Sequence, residues 1–361
     1  MNPCLETASR LARAIRNGRL SSYEATKAHL ERIAKLNGPL NALVVVDEDG
    51  ARKAAKAADR ALAKKGARLG PLHGVPITIK EAFDVRGMRT TSSHPPLKDN
   101  VAAADATVVT RLRAAGAVIL GKANLTEFAN ILTIDMPAGY SSLGGQVKNP
   151  YVPHLLDKRG IPVVLPGGSS GGSAVAVAAG LCAAAIGTET SGSLLSPASQ
   201  NGLVTVKPTV GLISRAGVIP ISHSQDTAGP LTRTVRDSAI LLNVLAARDP
   251  LDEPVLARER VRRRGRAGRR RSLLNRWRSF NLDEYVGLGA GDAGAFATEM
   301  ALALAEPLGL PPGRLQLPDG RAPDPQQEAR RYAAAVAAAG GIGLQLLGLG
   351  VNGHVGFNEP P

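Results

Sequence analysis

The sequence predicts an α/β fold in which helices cover both faces of a sheet. Two short apolar runs, residues 75–79 and 117–121, have the composition of buried strands. Segments with helical periodicity lie before, between and after these runs, and strands that alternate with helices form sheets covered on both faces. With 361 residues, of which 44% are hydrophobic, the chain is long enough for a large core and for about two domains.

The first predicted elements are helices. Residues 5–16 and 22–36 have the apolar spacing of amphipathic helices, and Ser21 with Glu24 forms a capping-box pattern in front of the second. Residues 50–65 are rich in alanine and lysine and form a third amphipathic pattern. The chain therefore begins with predicted helices before its first predicted strand.

The following elements alternate between strands and helices. Residues 71–80 predict a turn followed by a strand, residues 105–115 a helix, and residues 117–121 a buried strand. A buried helix is predicted at residues 174–179, and a further helix at residues 235–247. This alternation is the main support for the predicted α/β sheet.

Cysteine usage and hydropathy bound the class of protein. Cys4 and Cys182 give neither a disulfide framework nor metal-ligand spacing, and Cys182 falls in an apolar stretch that is expected to be helical core. The N-terminus lacks a charged-then-apolar export signal. No apolar run reaches the about 20 residues that a membrane span needs. A cytoplasmic protein without a metal site is therefore expected.

Positive charge is concentrated in one segment. The net charge is +14, and residues 258–278 carry +10 of it, because they contain eleven arginines and one glutamate. Arginine runs without an apolar face are solvated unless an acidic partner binds them. Residues 254–278 are therefore predicted to be a basic linker, and nucleic-acid binding by the whole protein is not expected.

Three polar residues are candidates for acyl-transfer chemistry. Lys80 ends the first predicted strand, Ser169 lies in the glycine–serine loop of residues 166–173 (PGGSSGGS), and Ser193 ends residues 187–193 (GTETSGS). A serine becomes a nucleophile when a base takes its proton, and a lysine is a base only when burial keeps it neutral. Ser169 could relay the proton between the other two residues. The neighbouring glycine allows a tight turn whose N–H groups can converge on an oxyanion.

Simpler interpretations of the same residues stay open. Glycine–serine stretches are often flexible linkers, and Lys80 taken alone could be a surface lysine at the end of a strand. The loop lacks the Gly-Lys-Ser/Thr ending of a phosphate-binding loop, so the sequence excludes that class of site.

The candidate residues stand among motifs that resemble the amidase signature family from about residue 5 to about residue 250. The motifs occur in the family's order at residues 70–76 (GPLHGVP), 121–128 (GKANLTEF), 166–173, 187–193 and 206–211 (VKPTVG). The resemblance implies a mixed sheet in a domain of residues 1–253. It also implies hydrolysis of a small-molecule amide without a cofactor.

The resemblance assigns roles to individual residues. Ser193 is implied to be the nucleophile, Ser169 a bridging serine held by a cis peptide bond, and Lys80 the base. The residues implied to supply N–H groups to the oxyanion are Thr190, Ser191 and Gly192. The residues shaping a particular substrate pocket, and the oligomeric state, are not predicted.

A second resemblance covers residues 279–361. Residues 280–288 (FNLDEYVGL) and 350–360 (GVNGHVGFNEP) are similar to motifs of the glucosamine-6-phosphate deaminase family. The resemblance implies an incomplete Rossmann-like α/β fragment. The residues implied to carry proton transfer and ring opening are Asp283, Asn352, His354 and Glu359.

Four hypotheses about function follow. The first is an amidohydrolase that works through the Ser-Ser-Lys set, and the second is an amino-sugar phosphate deaminase. The third is a binder of nucleic acid through the arginine run, which attracts phosphates electrostatically. The fourth is an inactive fusion of two incomplete enzymes, because each half is shorter than the family it resembles and the arginine-rich stretch between them resembles neither family.

Overall fold

The computed structural model describes residues 2–132, 135–247, 249–252, 279–280, 286–292, 295–306 and 313–340. The chain forms two units, residues 1–259 and residues 260–361, and each is described by itself. The predicted basic linker of residues 254–278 lies outside the described residues.

A mixed sheet organises the first unit. Within the described part of that unit its strands are β1 Leu43–Val46, β2 Pro76–Lys80, β3 Val118–Ala123, β4 Ala184–Glu189, β5 Val204–Thr205 and β6 Thr227–Thr232. They lie side by side in the order β1, β3, β2, β4, β6, β5. The central strand β2 is parallel to β3 and β4, while β1, β6 and β5 are antiparallel to their neighbours. The mixed character of the sheet is therefore confirmed.

Helices accompany this sheet along the whole unit. They are α1 Ala8–Arg16, α2 Ser22–Leu40, α3 Glu48–Leu62, α4 Thr107–Ala114, α5 Gly171–Ala178, α6 Leu195–Gln200 and α7 Val235–Leu245. Short 3₁₀ helices lie at Pro3–Leu5, Pro95–Leu97 and Glu127–Asn130. Every helix predicted from the sequence for this unit is present, and the boundaries differ by a few residues.

Two separate apolar cores show that helices cover both faces of the sheet. On one face, Ile77 and Ile79 of β2 pack in a cluster with Leu11 of α1 and Leu241 of α7. On the other face, Leu120 of β3 packs with residues of α2, α3 and α5. Successive strand residues point to opposite faces of a sheet. The side chains of Thr78 and Lys80 in β2 therefore point to the face opposite that of Ile77 and Ile79.

Polar caps hold helix ends in place. Ser21 and Glu24 form the predicted capping box at the start of α2. The buried carboxylate of Asp237 in α7 accepts hydrogen bonds from the backbone N–H groups of Ala8 (3.0 Å) and Ser9 (2.9 Å). The first N–H groups of a helix have no acceptor within the helix itself. Helix α7, late in the sequence of this unit, therefore caps the N-terminus of α1, its first α-helix.

One prediction about the core was wrong in its secondary structure. Cys182 lies in the connection between α5 and β4 and not in a helix, because Gly180 adopts a positive φ of 71° and ends the helical path. Cys182 is nevertheless fully buried, and burial raises the pKa of its thiol to about 11. Its expected role as core is therefore confirmed.

The second unit is described over short stretches. Strand β7 Ser279–Phe280 pairs in parallel with β8 Leu315–Gln316. Helix α8 Phe296–Met300 continues into a π-helical turn, Ala301–Ala305, and α9 Pro325–Ala338 begins at an Asp324 cap. In the described ranges of both units, no helix is both long and apolar enough to cross a membrane.

Candidate active site

The glycine–serine loop delivers Ser169 to the sheet. The peptide bond between Gly168 and Ser169 is cis, as the resemblance implied. Gly167 precedes it with a φ of 70°, and a Cβ atom there would lie 2.6 Å from the backbone of Pro197. Only glycine fits this position, because the left-handed region and the close approach both exclude a side chain. The loop then enters α5, so it is an ordered turn and not a flexible linker.

Lys80 lies at the end of β2 and contacts this loop directly. Its Nζ donates hydrogen bonds to Ser169 Oγ (2.7 Å) and to Thr188 Oγ1 (2.8 Å). The side chain is fully buried, so the interpretation as a surface lysine is wrong. Burial lowers the pKa of Lys80 to about 7, and the negative charges of Glu189 and Asp226 oppose that shift. A substantial fraction of the amine is therefore neutral near neutral pH.

Thr188 is a contact of Lys80 that the sequence did not predict. It lies within residues 187–193, two residues before the predicted oxyanion donors, so its motif position was a usable signal. Its hydroxyl accepts from Lys80, while its N–H donates to Ser170 Oγ at 3.3 Å. Thr188 thus joins the lysine to the serine loop.

Ser193 lies in the turn after β4, close to the same loop. Its side chain is buried, and its backbone carbonyl accepts a hydrogen bond from the N–H of Ser170 (3.3 Å). Within the described residues no hydrogen bond reaches the Ser193 hydroxyl. The structure therefore brings Lys80 and Ser169 into contact and ties Ser193 to their loop through the backbone. A catalytic hydrogen bond can tighten when substrate binds.

The turn before Ser193 presents free donors. Gly192 has a φ of 78°, and the N–H groups of Ser191, Gly192 and Ser193 donate to no acceptor in the described ranges. Glu189 fixes the far side of the turn, because its Oε2 accepts from the N–H groups of Leu194 (2.7 Å) and Leu195 (3.0 Å). Successive unpaired N–H groups in a turn can bind an anion.

Thr190 has a different environment from the other predicted donors. Its hydroxyl donates to Asp226 Oδ1 at 2.5 Å, and Asp226 Oδ2 accepts from the N–H groups of Ile221 (2.8 Å) and Ser222 (2.9 Å). Asp226 therefore connects the turn that carries Ser193 to the segment before β6.

A cavity of about 480 Å³ opens beside these residues. Thr188 and Thr190 form part of its wall, which places the cavity next to the contacts of Lys80. Its other wall residues are Ala82, Ser92, Ala129, Arg215, Ala216, Val218, Ile219, Pro220, Ile221, His223, Asp226, Thr227, Ala228, Leu251 and Asp252. A concave, largely apolar site with a few polar groups is typical of small-molecule binding.

No group of three or more His, Cys, Asp or Glu side chains in the described part of the chain could hold a metal ion. The residues implied by the second resemblance, Asp283, Asn352, His354 and Glu359, all lie outside the described residues.

Comparison with known proteins identifies the family. The family model described as "Amidase" matches residues 24–273, which is more than half of the chain. The chain belongs to the amidase family. The matched region includes Lys80, Ser169 and Ser193, and every motif on which the first resemblance was based.

Curated relatives of this chain have two kinds of description. A "Probable amidase" of Arabidopsis thaliana is 46% identical over 241 residues, which are 66% of this chain and 45% of the relative. A glutamyl-tRNA(Gln) amidotransferase subunit of Acidothermus cellulolyticus is 46% identical over 246 residues, 68% of this chain and 46% of the relative. The chain thus spans about half the length of the curated relatives it matches.

Solved structures agree with this assignment. The native peptide amidase of Stenotrophomonas maltophilia superimposes with a TM-score of 0.64 at 43% identity, over 70% of this chain and 50% of that one. A 6-aminohexanoate cyclic dimer hydrolase in complex with its substrate has a TM-score of 0.59 at 32% identity, over 70% and 48% of the two chains. The fold is therefore shared with solved structures that are named a peptide amidase and a hydrolase.

The chain also buries a second lysine, Lys122, on strand β3 next to the strand of Lys80. Lys122 Nζ donates to the carbonyl oxygen of Arg89 (2.6 Å) and to Thr90 Oγ1 (3.0 Å). Burial lowers its pKa to about 8, and Glu81 opposes the shift. Lys122 makes no contact with the candidate serines in the described residues, so it offers a natural comparison for Lys80.

Proposed function

We propose that this amidase hydrolyses carboxamides through an acyl-enzyme on Ser193, with Lys80 as the base and Ser169 as the proton relay. The observation that carries the proposal is the 2.7 Å contact between Lys80 Nζ and Ser169 Oγ in a fully buried site. A buried amine with a lowered pKa is a suitable general base at neutral pH.

The first half of the reaction forms the acyl-enzyme. Ser193 Oγ attacks the amide carbon while its proton moves to Ser169 Oγ, and the Ser169 proton moves to Lys80 Nζ. The carbonyl electron pair moves to oxygen, where the N–H groups of Ser191, Gly192 and Ser193 would stabilise the negative charge. The C–N bond then breaks, and the leaving nitrogen takes a proton back from Lys80 through Ser169.

The second half releases the acid. Water attacks the ester carbon, and its proton travels along the same relay to the neutral amine of Lys80. The bond from the carbon to Ser193 Oγ breaks, and that oxygen regains a proton from the relay. The net change is a carboxamide and water converted to a carboxylic acid and ammonia, with the protein unchanged.

A serine-directed probe tests the proposal directly. We expect a fluorophosphonate to label the full-length protein on Ser193, as located by mass spectrometry of the labelled peptide. We also expect release of ammonia from simple primary amides. Labelling on any other serine, or no ammonia release above the rate without protein, would contradict the proposal.

Amide hydrolysis should depend on pH in one direction. Because only the neutral amine of Lys80 accepts a proton and burial lowers its pKa to about 7, kcat/KM should rise with pH through about 7 and level off above it. Below the midpoint the rate should fall about tenfold per pH unit. A pH–rate profile measures this, and a rate that is flat or falling across the same range would exclude Lys80 as the base.

For residues 279–361 we propose only descent from the deaminase family. The parallel pairing of β7 and β8, with α8 between them in the chain, is compatible with a βαβ fragment. No described residue carries the implied chemistry, so deaminase activity is not proposed for this chain. The cytoplasmic location, the domain boundaries and the hypothesis of an inactive fusion stay predictions.

A further inference from the structure

The cavity beside the candidate active site has a mainly apolar wall. Nine of its lining residues are alanine, valine, isoleucine, leucine or proline, contributed mostly by the segment before β6. A smaller set of charged residues interrupts this wall. The charged residues decide which acyl groups can enter, because an unpaired charge in such a site attracts or repels the substrate strongly.

Arg215 lines the cavity but is already paired within the wall. Its Nε and Nη2 donate to the carboxylate of Asp252 at 3.1 Å and 2.9 Å, and its Nη1 donates to the carbonyl of His223. Both partners of the ion pair are largely buried. Three of the five N–H donors of this guanidinium are used within the wall, and the Asp252 carboxylate compensates its positive charge, so Arg215 attracts the carboxylate of a substrate only weakly.

Asp226 adds a second negative charge to the same wall. Its two oxygens are held by the Thr190 hydroxyl and by backbone N–H groups of the segment before β6. Among the Arg, Lys, Asp and Glu side chains of the described lining residues, one arginine stands against two aspartates. The described wall therefore carries one net negative charge.

From this pairing we infer that the cavity selects carboxamides whose acyl group carries no carboxylate. The inference rests on the proposed function and names the substrate class of the same site. An anionic acyl group finds no unpaired cation in the described wall and meets the field of Asp226. An uncharged acyl group meets the apolar residues without that penalty.

Succinamide and succinamate are suitable test substrates, because they have nearly the same size and shape. They differ in charge, since one amide group of succinamide is replaced by a carboxylate in succinamate. We expect the kcat/KM of the wild-type chain, divided by the number of amide groups in the substrate, to be at least about 10-fold higher for succinamide than for succinamate. We expect the same order in a ligand-detected NMR titration of the full-length Ser193→Ala variant, which does not depend on turnover.

The two measurements distinguish the possible failures. If no ammonia is released but succinamide binds more tightly than succinamate, the proposed function is wrong and the proposed selectivity of the cavity stands. Hydrolysis with equal or better use of succinamate would keep the function and overturn the selectivity. Binding of neither compound would overturn the selectivity as well.

Release of Arg215 should weaken or abolish the preference for succinamide. The Asp252→Asn variant keeps the shape of the side chain but removes its charge, so the guanidinium can turn to a carboxylate in the cavity. We expect the ratio of the succinamide affinity to the succinamate affinity to fall by about 10-fold or more.

Asp157→Asn is the matched control, because it makes the same change in the ion pair with Arg159, outside the cavity. An equal effect of both variants, or no change in Asp252→Asn, would overturn the assignment of Arg215. If Asp252→Asn does not fold, the wild-type ratio alone decides the inference.

Discussion

Replacement of Lys80 by methionine should lower amide hydrolysis by about 10³-fold or more and should make the protein more stable near neutral pH. General acid–base catalysis contributes about 10²- to 10⁴-fold, and Lys80 is the proposed base. Methionine has a similar volume and no charge, so it can occupy the buried site without the cost of burying an ammonium. Activity and stability should therefore move in opposite directions, which an unfolded variant would not show.

The stability effect of Lys80→Met should depend on pH. The pKa of Lys80 falls from 10.5 to about 7 on folding, so between these values the unfolded state binds more protons than the folded state. Lys80 therefore makes the wild-type free energy of unfolding rise with pH by up to about 5 kcal/mol across this window. The advantage of the methionine variant should be largest below pH about 7 and should shrink towards pH about 10.5. Urea unfolding at several pH values measures it.

Lys122→Met is the matched control for this experiment. Lys122 is also buried, with a lowered pKa of about 8, but it donates to Arg89 and Thr90 and not to Ser169. We expect this variant to keep amide hydrolysis within about tenfold of the wild type, because it leaves the proposed relay intact. If both variants lose the same amount of activity, the loss reflects a structural requirement for a buried lysine at either position. That result would contradict the assignment of Lys80 as the base.

Ser193→Ala should abolish both fluorophosphonate labelling and amide hydrolysis, with a fall in kcat of at least about 10⁴-fold. The hydroxyl is the proposed nucleophile, and removal of a serine nucleophile leaves only binding and oxyanion stabilisation. The substitution removes one oxygen to which no hydrogen bond is made in the described residues, so the fold should be unaffected. Circular dichroism and the thermal midpoint check that expectation.

Ser191→Ala provides the comparison for Ser193→Ala. Ser191 lies two residues earlier in the same turn and is exposed, and its proposed contribution is its backbone N–H. Alanine keeps that N–H, so we expect labelling to persist and kcat to stay within a few-fold of the wild type. Loss of labelling in both variants would mean that the turn had been disturbed, and that Ser193 had not been identified as the nucleophile.

The sequence predicted some elements of this fold and missed others for physical reasons. The helices and strands β2 and β3 carry strong periodic or apolar signals. Strand β4 reads Ala-Ala-Ile-Gly-Thr-Glu and β6 contains Gly229 and Pro230, residues that are depleted in strands. Their strand conformation depends on pairing with each other, as in the register of Ile186 with Pro230. Long-range pairing of this kind leaves no local pattern.

The candidate site was predictable to a similar degree. Motif order was enough to single out Lys80, Ser169 and Ser193, and the structure places the first two in contact. Thr188 and Asp226 were missed, because their roles come from distances between separate segments. Thr188 stands within the motif of residues 187–193, but a threonine or an aspartate near a strand end has many ordinary functions, so the motif alone assigned neither residue a role.

The cap that Asp237 provides for α1 has a consequence for synthesis on the ribosome. The N–H of Ala8 and the carboxylate that accepts from it are 229 residues apart in the chain. Helix α1 therefore emerges long before this acceptor has been translated, and the N–H groups of Ala8 and Ser9 stay hydrated until α7 leaves the exit tunnel. The earliest part of this unit to be made is thus among the last to be locked in place.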